Sequence, residues 1–217
     1  MLPKQTPIPK NRPLALMGFV VLLLYTFQNF IPGITSIPRI YGYALVFLLF
    51  VVSVALFFKD WKRDLPMFFR HFKDYCAWFF PKFAVFLLVY FTVAITVAVI
   101  AGQPAANQSL LMNVSLKRLA FLSLLYAPLQ EEMIFRGFLR RLVDDNTFFV
   151  LVSALVFGGI HMLHPDQTPE QFLYIINYAL IGGFFAHIYT KTDNIMLPVM
   201  GHFSVNLIAF LSMVLFG

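Results

Sequence analysis

Read as a string of apolar and polar positions, the chain falls into long apolar runs separated by short clusters of Lys, Arg, Asp, Pro and Gly. The runs cover residues 14–31, 43–58, 83–101, a stretch opening near 116, then 147–162, 172–189 and 195–217. About 20 apolar residues cross the hydrocarbon core of a bilayer as a helix. Lipid leaves a backbone few ways to satisfy its own hydrogen bonds, so spanning segments are helices or closed barrels. The pattern predicts an all-α fold, a polytopic membrane helical bundle with about seven to eight transmembrane helices. The first run has no small-residue cleavage site and more spans follow it, so it reads as a retained helix and not a signal peptide.

The polar intervals divide the chain further. Residues 1–13 form a basic, proline-rich tail, 14–115 the N-terminal transmembrane helices, and 116–217 a carboxyl-terminal core. Within the N-terminal part, 59–82 mixes Phe and Trp with Lys and Arg, the make-up of a helix lying in the headgroup layer. An uncharged stretch, 102–115, carries Asn-x-Ser triplets at Asn107 and Asn113.

Composition supports this reading. The chain of 217 residues is 60% hydrophobic and only 12% charged, against about 25% charged in soluble domains. The single cysteine excludes an intramolecular disulfide. The net charge of +6 is a matter of loop asymmetry, not of a nucleic-acid surface. With the N-terminus inside, the inner ends collect all of the sixteen Lys and Arg except Arg39, Lys117 and Arg118, and Arg136 where it is buried, as the positive-inside rule requires. The expected setting is a multi-pass cell membrane with a cytoplasmic N-terminus. Compactness and the lack of a targeting extension point to a bacterial source.

Charged side chains at membrane depth are costly and mark functional sites. Glu131-Glu132-Met133-Ile134-Phe135-Arg136 puts two carboxylates and a guanidinium in the fourth run, Phe157-Gly158-Gly159-Ile160-His161 ends the fifth, and His202-Phe203-Ser204-Val205-Asn206 lies in the last. At about 1.5 Å rise per residue, Glu131 meets the histidines in depth only if the fourth helix runs on to about residue 142. That choice buries Arg136 one turn after Glu132, as an i,i+4 ion pair, and turns Glu131 to another face. His202 and Asn206 share a face by the same spacing. Pro128 is expected to kink the fourth helix, and Gly158, Gly159, Gly182 and Gly183 to allow close helix packing. Arg140 and Arg141 are expected to anchor at the interface, as are His71, His164 and His187.

Together, Glu-Glu-x-x-x-Arg, Phe-x-x-x-His and His-x-x-x-Asn, in this order and each inside an apolar run, resemble the CPBP (CAAX protease and bacteriocin-processing, Abi) intramembrane proteases. The resemblance covers roughly 116–217. It implies an endopeptidase in which Glu131 and His161 activate a water while His202 and Asn206 hold that water or stabilise the oxyanion, with Glu132, Arg136 and Phe157 in support. Peptide hydrolysis independently needs a base, a proton donor for the leaving amine, and donors facing the oxyanion. A metal-free reaction is favoured; zinc held by Glu131, His161 and His202 is the alternative, a three-ligand set with one open position. The zinc-protease helix motif His-Glu-x-x-His is absent. Expected substrates are membrane-associated peptides or proteins, in peptide maturation or bacteriocin self-immunity, with lipid as the surroundings and no nucleic acid. The competing functions are a non-enzymatic membrane immunity or regulatory protein that binds a partner, and a small proton-coupled transporter.

Overall fold

The computed structural model describes residues 11–30, 39–105, 115–163 and 167–216. Most of the basic tail, the triplets at Asn107 and Asn113, and His164 lie outside them. Among the described residues the chain forms seven helices and no strand: α1 (Arg12–Phe30), α2 (Arg39–Arg70), α3 (Phe72–Ala101), α4 (116–141), α5 (Asn146–His161), α6 (Glu170–Thr192) and α7 (Met196–Phe216). Four of these, in α2, α3, α6 and α7, are long and apolar enough to cross a membrane, and α1 and α5 are shorter apolar helices. Large side chains such as Phe47, Leu88, Val99 and Leu155 stand on the outer surface. So many exposed apolar groups would be an aggregation hazard in water; on a membrane protein they face lipid tails.

The segment 59–82 is not a separate element. It is the end of α2 and the start of α3, with His71 alone between the two helices. Both helices are long: the 32 residues of α2 reach about 48 Å, well beyond the ~30 Å hydrocarbon core. Their polar turns therefore extend past the apolar ones without a break.

The core is aromatic and lies among α3, α4, α5 and α6. Tyr75, Phe79, Phe135, Phe138, Phe149, Phe157, Phe185 and Tyr189 are fully buried, and Phe86 stacks on Phe184 at a centroid distance of 4.1 Å. Lipid gives no hydrophobic drive between helices, so close packing has to hold them together. Helices α5 and α6 meet through two of the four expected glycines. A Cβ at Gly182 would lie 2.8 Å from that of Phe157, and one at Gly158 would lie 3.0 Å from the Ile175 carbonyl. Gly159 opens on empty space.

A stripe along α2 braces α4. Ser53, Phe57, Asp60 and Trp61 recur at helical spacing and meet Gln130, Gly137, Arg141 and Met133 in turn. Arg141 is buried, in an ion pair with Asp60 at 2.7 Å, and its other arm donates to the Gly137 carbonyl. It is thus a structural cation and not the interface anchor expected from sequence. Farther along α2, the Asp64 carboxylate accepts the backbone N–H of Ile195 at 2.9 Å, and Asn194 donates to the Asp64 carbonyl at 3.0 Å. These bonds fix the start of α7, and with it the height of His202.

Candidate active site

Helix α4 presents the two carboxylates, and its backbone is unusual there. α-Helical Ala127–Glu132 is flanked by π-helical Phe121–Tyr126 and Met133–Phe138. The Ala127 N–H bonds to the Leu122 carbonyl and the Leu139 N–H to that of Ile134, both five residues back. Pro128 has no N–H and its ring would crowd the carbonyl four residues earlier. The wider turn just before it absorbs that conflict, so the expected kink takes the form of a π turn. Helix α4 runs to Arg141, and Asp145 then caps α5 by accepting the Phe148 N–H at 2.7 Å. This is the extended fourth helix that convergence in depth demanded.

The side chains form a buried relay. Arg136 is fully buried and pairs with Glu132 at 3.0 Å across one helical turn. Its Nη2 donates to the Gly182 carbonyl at 3.0 Å, and its charged plane lies 5.2 Å from the Phe157 ring centroid. The other Glu132 oxygen meets His202 Nδ1 at 2.8 Å. With Glu132 ionised against Arg136, that nitrogen carries the proton and donates. The opposite nitrogen, Nε2, faces Glu131 Oε2 at 3.8 Å. The two carboxylates thus engage opposite edges of one imidazole. Their divergence around α4 is real, but His202 bridges it.

Glu131 has a second partner that the sequence reading overlooked. Tyr25, on α1, donates its hydroxyl to Glu131 Oε1 at 2.6 Å, in a buried contact. The other oxygen, Oε2, is buried without a hydrogen-bond partner. At 3.8 Å its approach to His202 is too long for a direct hydrogen bond.

His161 stands beside this relay. Its Nδ1 lies 2.7 Å from the Phe157 carbonyl, and because a carbonyl only accepts, Nδ1 carries the hydrogen. The ring is sandwiched between Tyr178 and Phe157, with centroids at 4.3 and 4.5 Å. Phe157 in turn sets its edge toward His202 at 6.0 Å. Asn206, one turn beyond His202, donates to the Ser123 carbonyl at 2.7 Å and so ties α7 to the first π turn of α4. Glu131, Glu132, Arg136, Phe157, His161 and His202 come together, and Asn206 is turned toward α4.

Among the described residues no three His, Cys, Asp or Glu side chains are grouped so as to hold a metal ion.

Residues 113–208 match the sequence model of the family described as "Type II CAAX prenyl endopeptidase Rce1-like". A curated relative, the "Putative membrane peptidase YdiL" of Bacillus subtilis (strain 168), is 26% identical over 110 residues. The likeness lies in the carboxyl-terminal part of this chain, where the resemblance read from the sequence also lies. The stretch shared with the Bacillus subtilis protein is 48% of this chain and 42% of that one. No solved structure matches the chain significantly. The matched residues contain the relay whole, from Glu131 to Asn206. Tyr25, Ser53 and Asp60, which hold Glu131, Gln130 and Arg141, lie outside the matched residues.

Proposed function

We propose that this chain is an intramembrane endopeptidase that hydrolyses a peptide bond in a membrane-associated peptide or protein, without a metal. The observation that carries this reading is the convergence of Glu131 Oε2 and His202 Nε2, 3.8 Å apart in a buried site. In the reacting complex a water admitted beside this pair donates to both acceptors, which raises the electron density on its oxygen. Glu132 on the far edge of the ring holds His202 in the Nδ1–H form and steadies the imidazolium that follows proton uptake, the role of a carboxylate that orients a catalytic histidine. Arg136 in turn fixes Glu132.

When the water oxygen bonds to the scissile carbonyl carbon, its proton passes to Glu131 or His202 and the carbonyl π pair becomes the oxyanion. His161, with Nδ1–H committed to Phe157, offers Nε2 to the substrate as an acceptor, and the proton taken up by Glu131 or His202 passes to the leaving nitrogen. Asn206 keeps one amide hydrogen beyond the bond to Ser123, and that hydrogen is the donor left for the oxyanion. Collapse expels the amine and leaves a new carboxylate. The sequence-based orientation, N-terminus inside, belongs to this reading, as do peptide maturation and bacteriocin self-immunity as the settings in which to seek a substrate.

The test is a panel of apolar peptides incubated with the purified chain in lipid vesicles made up in ¹⁸O-water, with and without a chelator. Products whose new carboxyl terminus carries ¹⁸O, formed equally in both arms and lost in His202→Ala, are expected. Cleavage abolished by chelator and restored by zinc would overturn the metal-free mechanism.

A further inference from the structure

His161 is the last residue of α5, with no following turn of its own helix to pack on. Side chains lean toward the helix N-terminus, and this ring leans back far enough for its Nδ1–H to reach the Phe157 carbonyl at 2.7 Å. One hydrogen bond holds a ring at a point and leaves it free to turn about that point. A second hold comes from α6. A Cβ at Gly158 would lie 3.0 Å from the Ile175 carbonyl and 3.2 Å from the Ala179 Cβ, so α6 runs close against this turn of α5. That approach lays the Tyr178 ring on the imidazole, with centroids 4.3 Å and planes 15° apart, while Phe157 covers the other face. Among the described residues His161 Nε2 has no hydrogen-bond partner, and it is not sealed from the surface as Glu131 Oε2 is. Both faces of the ring are closed, and the Nε2 edge is the one open to an incoming group.

We infer that Tyr178 is a positioning residue for the substrate: its stack fixes the direction of His161 Nε2, which accepts one backbone N–H of the peptide beside the scissile bond. The inference rests on the peptidase reading above. With the hydrogen on Nδ1, Nε2 is an acceptor only, so what it meets has to bring a donor. Every residue of a peptide other than proline carries one on its backbone. Such a bond is worth making only if the ring points the same way before the peptide arrives, since holding a loose side chain still on binding costs free energy. Tyr178 meets that condition from outside the three polar motifs. It stands on α6, between the motif that ends at His161 and the one that opens with His202.

The test uses a fluorescent Leu-Ala peptide, and a series of it with one backbone N–H at a time replaced by an ester oxygen, bound to the full chain in phosphatidylcholine vesicles. Glu131→Gln serves as host so that the peptides stay intact. Tyr178→Leu in that host is expected to raise Kd for the all-amide peptide about three- to tenfold, and Tyr178→Phe, which keeps the ring, to leave it unchanged. One ester is expected to bind as weakly as that from the start and to lose nothing more with Tyr178→Leu, because the N–H in question is already gone. A series that Tyr178→Leu weakens throughout would reveal a merely structural role and overturn the inference, as would a Kd indifferent to the change. Tyr178→Met repeats the test if Tyr178→Leu fails to fold, and thermal unfolding identifies the folded variants. The stack itself is read by NMR of the chain labelled at histidine, the His161 signals being those lost in His161→Gln. Their ring-proton shifts are expected to hold in Tyr178→Phe and to move in Tyr178→Leu; shifts that stay put would also overturn it. Binding needs no turnover, so it is read independently of cleavage. A wild-type chain that binds peptide in this Tyr178-dependent way but never cuts it would fail the peptidase reading alone.

Discussion

Glu131 is held from one side by a neutral donor and faced from the other by an imidazole. The bond from Tyr25 fixes Oε1, so Oε2 is the oxygen left to work on water. A hydrogen bond to a charged group contributes about 1.5–3 kcal/mol, and about 1.4 kcal/mol corresponds to tenfold in rate. Tyr25→Phe keeps the ring and its packing but loses that bond. Its kcat is expected to fall about tenfold or more with KM little changed, as steady-state kinetics on a cleaved peptide would show. Glu132 answers to two partners, Arg136 and His202. Glu132→Ala leaves Arg136 as an uncompensated buried charge, which costs about 3–5 kcal/mol. A much lower unfolding temperature in detergent is expected, and an unchanged one would mean that the relay is not what holds α4 in place. The relay's members were legible in the sequence because ionisable groups stand out in an apolar run and the Glu132–Arg136 spacing is helical. Tyr25 was not, since a tyrosine in an apolar run reads as one more interfacial ring until its partner across the bundle is known.

Helix α4 shows how local geometry serves the site. Two π turns bracket the short α segment that carries Glu131 and Glu132, and such turns recur at functional sites. Pro128 hinted at a distortion here, but a π turn has no other local signature, so its position could not be read from the chain. The length of α4 could be, because only a helix running to about 142 brings the carboxylates to the depth of the histidines. The brace from α2 escaped notice for another reason. Asp60 lies in what looks like a charged turn, and only the continuation of α2 past the apolar core brings it to Arg141. Asp60→Ala strands that arginine, and a loss of about 3–5 kcal/mol is expected in denaturant unfolding. Between α5 and α6 the limit is steric. Gly182→Val forces a side chain against Phe157 and the Ser153 carbonyl, and overpacking of this kind costs about 1–3 kcal/mol. Because the Gly182 carbonyl also receives Arg136, the same variant should lose activity beyond its loss of stability.

In the whole molecule, the carboxyl-terminal half carries the buried relay and the amino-terminal half holds it. The family match covers none of α1, α2 and α3, yet α1 reaches Glu131 and α2 braces α4 along its length. The fold class was readable from apolar run length alone. The roles of the first three helices were not, because their contacts depend on which faces meet. The central claim is that Glu131 activates the water that cuts the peptide bond. Its most direct measurement is single-turnover cleavage of a peptide by the purified chain in vesicles, comparing wild type with Glu131→Gln at equal folded fraction. The account predicts cleavage by the wild type and a rate at least about 10²-fold lower in the variant. Cleavage by Glu131→Gln at the wild-type rate would contradict it.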